Sequence, residues 1–232
     1  MKLILTSEHG GNIIPKSFEN YFTNSEQVLT THSAYDIGSL DLFNTLKPLA
    51  FFHHSNTQSR LLIELNRSLH HKDLFSKFTR DCTEAEKAKL IQGIYNPYRE
   101  SIQSKIEAIL KHDEQVLHIA VHSFTPILNG VSRNCDIGLL YDPSRPIEKA
   151  YCKKLKYYLK NENEMLATRF NYPYLGKSDG FPTYLRQVFG KRYVGIELEI
   201  NQKFARNNKM NKKLKQTIYK SLEKSLQTHT MF

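Results

Sequence analysis

The sequence predicts an α/β fold in which a mostly parallel or mixed sheet is covered by helices on both faces. Short apolar runs of strand length alternate along the chain with longer segments of helical period, and strands separated by helices favour parallel pairing. The 232 residues, 40% of them hydrophobic, are enough for one sizeable core. Because no repeat or low-complexity linker divides them, we predict a single domain over residues 1–232.

The individual elements follow from the period of the apolar residues. Buried strands are predicted for the five short apolar runs Leu3–Thr6, Ala50–His54, Val116–His122, Ile137–Tyr141 and Tyr193–Ile200. Helices are predicted over residues 35–47, 83–111, 146–161 and 211–227. The second helix begins at Thr83 with Glu86 three residues on, which is the pattern of a capping box.

Composition excludes a membrane-spanning protein. No apolar run approaches the roughly 18 residues that a bilayer span needs, and the apolar N-terminus gives way to polar residues at Thr6, so it predicts no signal peptide. Cys82, Cys135 and Cys152 are an odd number without CxxC spacing. They are typical of reduced thiols, so we expect a cytoplasmic protein.

The formal net charge of +10 raises the question of a nucleic-acid partner. Much of the excess lies around the last predicted helix, where it is typical of a solvated helix face. These residues are Lys203, Arg206, Lys209, Lys212, Lys213 and Lys215. No nucleic-acid-binding motif accompanies the charge, and a basic balance also suits an enzyme with acidic small-molecule substrates. Nucleic acid is therefore the less favoured partner.

Polar residues follow three of the predicted strands at the ends where reactive groups collect in such sheets. The segment 7–11 (Ser-Glu-His-Gly-Gly) follows the first strand, and His122 ends the third. Glu197 and Glu199 lie toward the end of the fifth strand. The sequence thus predicts one cluster of functional side chains beyond the carboxyl edge of the sheet.

Two histidines of this cluster are candidate metal ligands. His9 and His122 end separate strands, and Zn²⁺ commonly takes two histidines and one carboxylate while keeping one position open. The third ligand is open. Asp36 is one candidate, although an aspartate at a predicted helix start can also serve as a cap. Glu8 is the competitor, but it neighbours His9 and can point the other way.

Arginine, asparagine and glutamate side chains complete the predicted site. Arg60, Asn66 and Arg67 could bind a carboxylate or a developing oxyanion, whereas Arg60 and Glu64 could also form an ordinary i, i+4 surface pair. Two glutamates on one face of an apolar strand require partners. One of the pair at positions 197 and 199 is a candidate general base.

Taken in order, these motifs resemble the N-formylglutamate amidohydrolase family over residues 5 to 204. The motifs that carry the resemblance are Ser7-Glu8-His9-Gly10-Gly11-Asn12, Asp36-Ile37-Gly38, Arg60 with Asn66-Arg67, His122-Ser123-Phe124, the loop from Asn171 to Gly180, and Gly195–Gln202. That family is similar in fold to zinc carboxypeptidases and aspartoacylases. The resemblance implies a phosphorylase/hydrolase-like fold and cleavage of an N-acyl amino acid, such as N-formylglutamate.

The resemblance also implies roles for individual residues. His9 and His122 would hold zinc, Arg60 would polarise the scissile carbonyl, and Glu199 would activate water. Substrate binding would fall to Asn66, Arg67, Tyr174 and Asp179, the first two holding the substrate carboxylate. Carboxypeptidase-like enzymes place a glutamate three residues after the first histidine, where this chain has Asn12. Asparagine is a poor zinc ligand, so Asp36 becomes the expected third ligand.

Two other functions stay open at this point. One is a carboxypeptidase-like zinc peptidase that acts on larger chains. The other is a non-catalytic module that holds nucleic acid with the basic C-terminal helix, whose binding would be salt-sensitive and independent of the histidines.

Overall fold

A computed structural model describes residues 1–112 and 115–227, with a six-stranded sheet at its centre. The strands are β1 (Lys2–Ser7), β2 (Phe52–Ser55), β3 (Val116–Phe124), β4 (Ile137–Leu140), β5 (Thr168–Phe170) and β6 (Tyr193–Asn201). Their order in the sheet is β2-β1-β3-β6-β4-β5. The strands β2, β1, β3 and β6 are parallel, whereas β4 runs antiparallel to β6 and parallel to β5. The predicted mixed sheet is confirmed.

Within the described residues, six α-helices accompany the sheet. They are α1 (Ser39–Leu46), α2 (Glu84–Leu90), α3 (Asn96–Leu110), α4 (Pro146–Glu162), α5 (Phe181–Phe189) and α6 (Lys212–Gln227). Short 3-10 turns lie at Lys16–Phe22, Glu26–Thr30, Lys47–Leu49, Gly190–Arg192 and Gln202–Phe204. Two small hairpins pair Ile127–Leu128 with Val131–Ser132 and Ala205–Arg206 with Lys209–Met210.

Alternation of side chains along the strands divides the core into two layers. Leu117, Ile119 and Val121 of β3 face the layer that contains α1, α4 and α6. The opposite face carries α3 and α5 and includes Val116 and Tyr193. Every residue of β3 is buried, as expected for a central strand with helices on both sides. The predicted covering of both faces is therefore confirmed.

The predicted helix boundaries were wrong at two places. The helix predicted over 35–47 begins only at Ser39, after Gly38 with a φ of 82°, so Asp36 is not its cap. The helix predicted over 83–111 has the expected capping box of Thr83 and Glu86, but a π-helical turn at Ile91–Tyr95 interrupts it. Pro97 lies just beyond this turn and has no N–H to continue the helical hydrogen bonding.

Several smaller features bear on the sequence-based expectations. The structure has two further elements, β5 and α5, that the apolar pattern did not predict. All three cysteines are buried free thiols. Within residues 1–112 and 115–227, no helix is both long and apolar enough to cross a membrane.

The basic C-terminal segment packs against the rest of the fold. On α6, Leu214, Ile218 and Leu222 are buried in the core. Two cations of this basic segment are paired with acids: Lys203, which precedes the helix, with Asp136, and Lys215, within the helix, with Asp41. The helix is thus a structural part of the domain.

Candidate metal centre and active-site cavity

Three adjacent parallel strands bring the predicted residues to one edge of the sheet. In the β3–β6 register, His122 lies opposite Glu199 and Ala120 opposite Glu197. A cavity of about 450 Å³ opens beyond these strand ends. It is lined by His9, Asp36, Arg60, Asn66, Arg67, His122, Ser123, Leu140, Tyr174, Leu175, Ser178, Asp179, Glu197 and Glu199. All nine residues for which a catalytic, substrate-binding or metal role was predicted therefore line one cavity.

The loop after β1 positions His9 because two glycines let the backbone approach a neighbouring segment closely. A Cβ atom on Gly11 would lie 2.3 Å from the carbonyl oxygen of Thr57, which no side chain tolerates. The amide of Gly10 donates to the Asn56 carbonyl, and the amide of Ile13 to that of Thr57. The glycines following His9 thus serve the packing of this loop.

His9, Asp36 and His122 form a buried group that could hold a metal ion. Oδ2 of Asp36 lies 3.0 Å from Nδ1 of His122 and 3.4 Å from Nδ1 of His9. Ligand atoms of a tetrahedral zinc site with bonds of about 2.0–2.1 Å are separated by about 3.3 Å. Among the described residues, His9 Nδ1 has no hydrogen-bond partner. The donor types, their spacing and this open nitrogen all fit a divalent metal.

The other nitrogen of each ring faces a second carboxylate. Nε2 of His9 lies 2.5 Å from Oε1 of Glu64, and Nε2 of His122 lies 3.3 Å from Oε2 of Glu8. Glu8 is in turn held by the hydroxyl of Tyr98, which donates to it over 3.0 Å. Carboxylates in this position typically orient a metal-binding imidazole and make it a better ligand.

The electrostatics of this group favour positive charge between the carboxylates. Burial by itself lowers the pKa of His122, but Asp36 and Glu8 outweigh it and raise the pKa well above its usual value. Burial raises the pKa of Glu8, but the contact with His122 lowers it to about 2. The site therefore stabilises cationic histidines when no metal is present, and metal binding would have to displace their protons.

The structure distinguishes the candidates for the third metal ligand. Asp36 lies with His9 and His122, and its Oδ2 also accepts from the amide of Ser123. Asn12 turns away and donates its side-chain amide to the carbonyl of Leu29. Glu8 is absent from the three-residue group and contacts the far side of His122.

Arg60 and Glu64 form the ion pair that the i, i+4 spacing allowed, but Glu64 is buried and Arg60 lines the cavity. Arg60 Nε donates to Glu64 Oε2 over 2.7 Å, and its NH1 donates to Asp36 Oδ1 over 3.3 Å. The side chain of Arg60 is 30% exposed, whereas those of Glu64 and Asp36 are 9% and 5% exposed. Two carboxylates thus fix the guanidinium and compensate its charge.

The neighbouring residues Asn66 and Arg67 differ in their partners. The side-chain amide of Asn66 donates to Glu197 Oε1 over 2.9 Å, and its oxygen accepts from the amide of Phe181 at the start of α5. Arg67 NH1 donates to the carbonyl oxygens of Asp179 and Asn66. Within the described part of the chain, no carboxylate lies at ion-pair distance from Arg67. Its charge is therefore uncompensated at the cavity wall.

The two glutamates of β6 face the cavity in different environments. Glu199 is 6% exposed, and among the described residues its Oε2 has no hydrogen-bond partner. Burial raises the pKa of Glu199 to about 8; the charge of His122 opposes this rise, whereas Asp36 and Glu197 add to it. The carboxylate of Glu197 is more exposed, at 13%, and accepts from Asn66. A carboxyl group with a pKa in this range can exchange a proton near neutral pH.

The loop between β5 and α5 forms the outer wall of the cavity. Tyr174 is 46% exposed, and its hydroxyl accepts from Arg133 NH1 over 3.2 Å. Asp179 accepts from the amide of Ser68 through Oδ2. The loop can lie close to β4 because Gly138 has no side chain; a Cβ there would lie 2.1 Å from the Tyr172 carbonyl oxygen.

Some residues of the site were missed by sequence reasoning. Leu140, Leu175, Ser123 and Ser178 line the cavity but were given no role from the sequence, although all except Leu140 lie within motifs that carry the resemblance. The orienting role of Tyr98 depends on how α3 packs against β1, which no local pattern reveals. For α5, the Phe181-Pro182 start was an available signal, because proline is common in the first helical turn.

Comparisons with known proteins agree with the fold. The family profile described as N-formylglutamate amidohydrolase matches residues 1–205. A gene product of Agrobacterium tumefaciens of known structure is 22% identical, with a TM-score of 0.76, covering 97% of this chain and 90% of that one. An N-formylglutamate amidohydrolase from Ralstonia eutropha is 16% identical, with a TM-score of 0.73, covering 97% and 92%. A comparison with curated protein sequences finds no match.

Proposed function

The chain belongs to the N-formylglutamate amidohydrolase family, and from that premise we propose that it is a zinc-dependent hydrolase of N-formyl or closely related N-acyl amino acids. The single observation that carries the proposal is the buried group of His9, Asp36 and His122 with Glu199 on the neighbouring strand beside it. Water adds to the acyl carbon, the C–N bond breaks, and the products are a small acid and a free amino acid.

Zinc would be held by His9, His122 and Asp36, the three residues whose ligand atoms lie together. When bound, the metal supplies a Lewis acid that polarises the substrate carbonyl and favours ionisation of water. Glu64 and Glu8 contact Nε2 of His9 and of His122, respectively, and so fix the orientation of the two imidazole rings.

Glu199 is the proposed general base. Its free Oε2 accepts a proton from the attacking water and then delivers it to the leaving nitrogen, so the carboxylate ends the cycle as it began. A pKa of about 8 allows both steps near neutral pH, because neither protonation state is strongly disfavoured there.

Arg60 is the proposed partner of the developing oxyanion. Its guanidinium is fixed by Glu64 and Asp36, so little reorganisation is needed as negative charge develops on the acyl oxygen. Such a donor typically contributes about 3 kcal/mol to transition-state stabilisation.

Arg67 is the proposed anchor for the substrate carboxylate, because its charge is uncompensated at the cavity wall. The carbonyl of Asp179 holds the guanidinium in place. Asn66 supports this wall through Glu197 and α5, and Tyr174 also lines the cavity. A carboxylate fixed in this way orients the amide toward Glu199.

The test is release of a free amino acid from a panel of N-formyl and N-acetyl amino acids, with di- and tripeptides of unblocked N-terminus assayed alongside. We expect turnover of N-acyl amino acids that a chelator abolishes and added Zn²⁺ restores. Turnover of peptides alone would instead support a zinc peptidase. Chelator-insensitive turnover would contradict the metal, and no turnover of any substrate would contradict the proposed function.

A further inference from the structure

The charges of the cavity restrict the side chain of its substrate. Arg60 and Arg67 are the two arginines among the lining residues that the structure describes. Arg60 is neutralised by Glu64 and Asp36. Its proposed role is at the developing oxyanion, so Arg67 is the one of these two arginines left for a substrate carboxylate, and the proposed function already uses it for the α-carboxylate.

Apart from the two arginines and the group proposed to hold the metal, the charged residues of the wall are the acids Asp179, Glu197 and Glu199. The carboxylates of Asp179 and Glu197 each accept one hydrogen bond, from the amide of Ser68 and the side chain of Asn66, respectively. Neither carboxylate is at ion-pair distance from a lysine or arginine in the described part of the chain, although Glu197 Oε1 lies 4.0 Å from Nε2 of His122, a proposed zinc ligand. A second carboxylate on the substrate would therefore meet like charge without a compensating cation.

The wall also includes neutral residues. Leu140 and Leu175 offer apolar surface, and Tyr174 and Ser178 offer hydroxyl groups. A further cation beside this wall, Arg133, does not line the cavity. Its guanidinium stacks on the Tyr174 ring at 5.1 Å and donates to the Tyr174 hydroxyl and the Thr125 carbonyl.

From this arrangement we infer that the cavity selects N-acyl amino acids with an uncharged side chain over the dianion N-formylglutamate. The inference rests on the proposed function, because it takes Arg67 as the site of the α-carboxylate. N-formylglutamine matches N-formylglutamate in shape and lacks only the second charge. An uncompensated like-charge contact at a partly solvated site changes affinity by about tenfold or more.

The experiment compares kcat/KM for N-formylglutamine, N-formylleucine and N-formylglutamate with the zinc-loaded protein. We expect both neutral substrates to exceed N-formylglutamate by about tenfold or more, chiefly through KM. The variant D179N keeps the Ser68 hydrogen bond through its amide oxygen and removes one acid. It should therefore narrow the difference in kcat/KM between the neutral substrates and N-formylglutamate. The variant R133M should leave the ratio of kcat/KM between the neutral substrates and N-formylglutamate unchanged.

Three other outcomes would each contradict the inference. N-formylglutamate used as well as or better than N-formylglutamine would overturn the inference and leave the proposed function standing. A glutamate preference that R133M abolishes would identify Arg133 as the missing cation and overturn it in the same way. If none of the three substrates is turned over, the proposed function fails and the inference falls with it.

Discussion

Oε1 of Glu64 lies 2.5 Å from Nε2 of His9, on the side of the ring opposite the nitrogen that faces Asp36. Glu64 therefore joins two parts of the site, because its second oxygen accepts from Arg60. The carboxylate orients an imidazole through one oxygen and a guanidinium through the other. Its spacing from Arg60 in the sequence is by itself typical of a surface ion pair.

Glu64→Gln should weaken metal binding. Glutamine keeps the shape but loses the charge that holds the His9 ring, and loss of such an orienting carboxylate typically costs about 10–100-fold in metal affinity. The measurement is the zinc dissociation constant by competition with a chromophoric chelator. Glu107→Gln, at an exposed carboxylate on α3, is the matched control. Equal affinity in both variants would remove Glu64 from this role.

Glu199→Gln should lower kcat by about 10²–10⁴-fold while zinc stays bound, because glutamine cannot accept the proton. Glu197→Gln keeps a group that can pair with Asn66 and should mainly affect stability or substrate binding. Both variants are assayed for kcat and zinc content on the same substrate. If Glu197→Gln is the inactive, folded and zinc-loaded one, the two roles must be exchanged.

Arg67→Lys should raise KM by about tenfold or more and change kcat less, because an ammonium group cannot reproduce the two parallel hydrogen bonds of a guanidinium to a carboxylate. Steady-state kinetics on one N-formyl amino acid gives both constants. A decarboxylated analogue provides the complementary test. Wild-type protein that turns over this analogue as well as the parent acid would exclude Arg67 as the anchor.

Glu199 should also make the stability of the metal-free protein depend on pH. Its pKa rises from 4.5 to about 8 on folding, so its contribution to stability is full below pH 4.5 and is lost as the pH rises toward 8. Glu199→Gln cannot lose this proton. Its Tm relative to wild type should therefore increase from pH 5 to pH 8.5, by at least about 3 °C for a chain of this size. A difference that stays constant with pH would show that Glu199 does not titrate in this range.

Much of the site could be predicted because its residues follow strands that the apolar pattern of the sequence predicts. The apolar runs before His9 and His122 indicate their positions at strand ends, and parallel pairing brings those ends together. Because side chains alternate along a strand, the spacing of Glu197 and Glu199 is enough to place them on one face.

The remainder depended on contacts between distant segments. The sequence places Asp36 at a helix start, yet Gly38 ends the preceding loop and frees the Asp36 carboxylate to reach β3. The reversed direction of β4 leaves no local signal, because antiparallel and parallel buried strands have the same composition. The link from Tyr98 through Glu8 to His122 joins three elements, so no local pattern could reveal it.

The central claim is that His9, Asp36 and His122 hold the metal, and elemental analysis of protein purified without added metal tests it most directly. We expect about one equivalent of zinc in wild type and in the control His70→Ala, whose histidine is exposed. His9→Ala, Asp36→Ala and His122→Ala, each verified as folded by circular dichroism, should retain less than about a tenth of it. Full zinc content in the three variants would contradict the assignment of the metal centre.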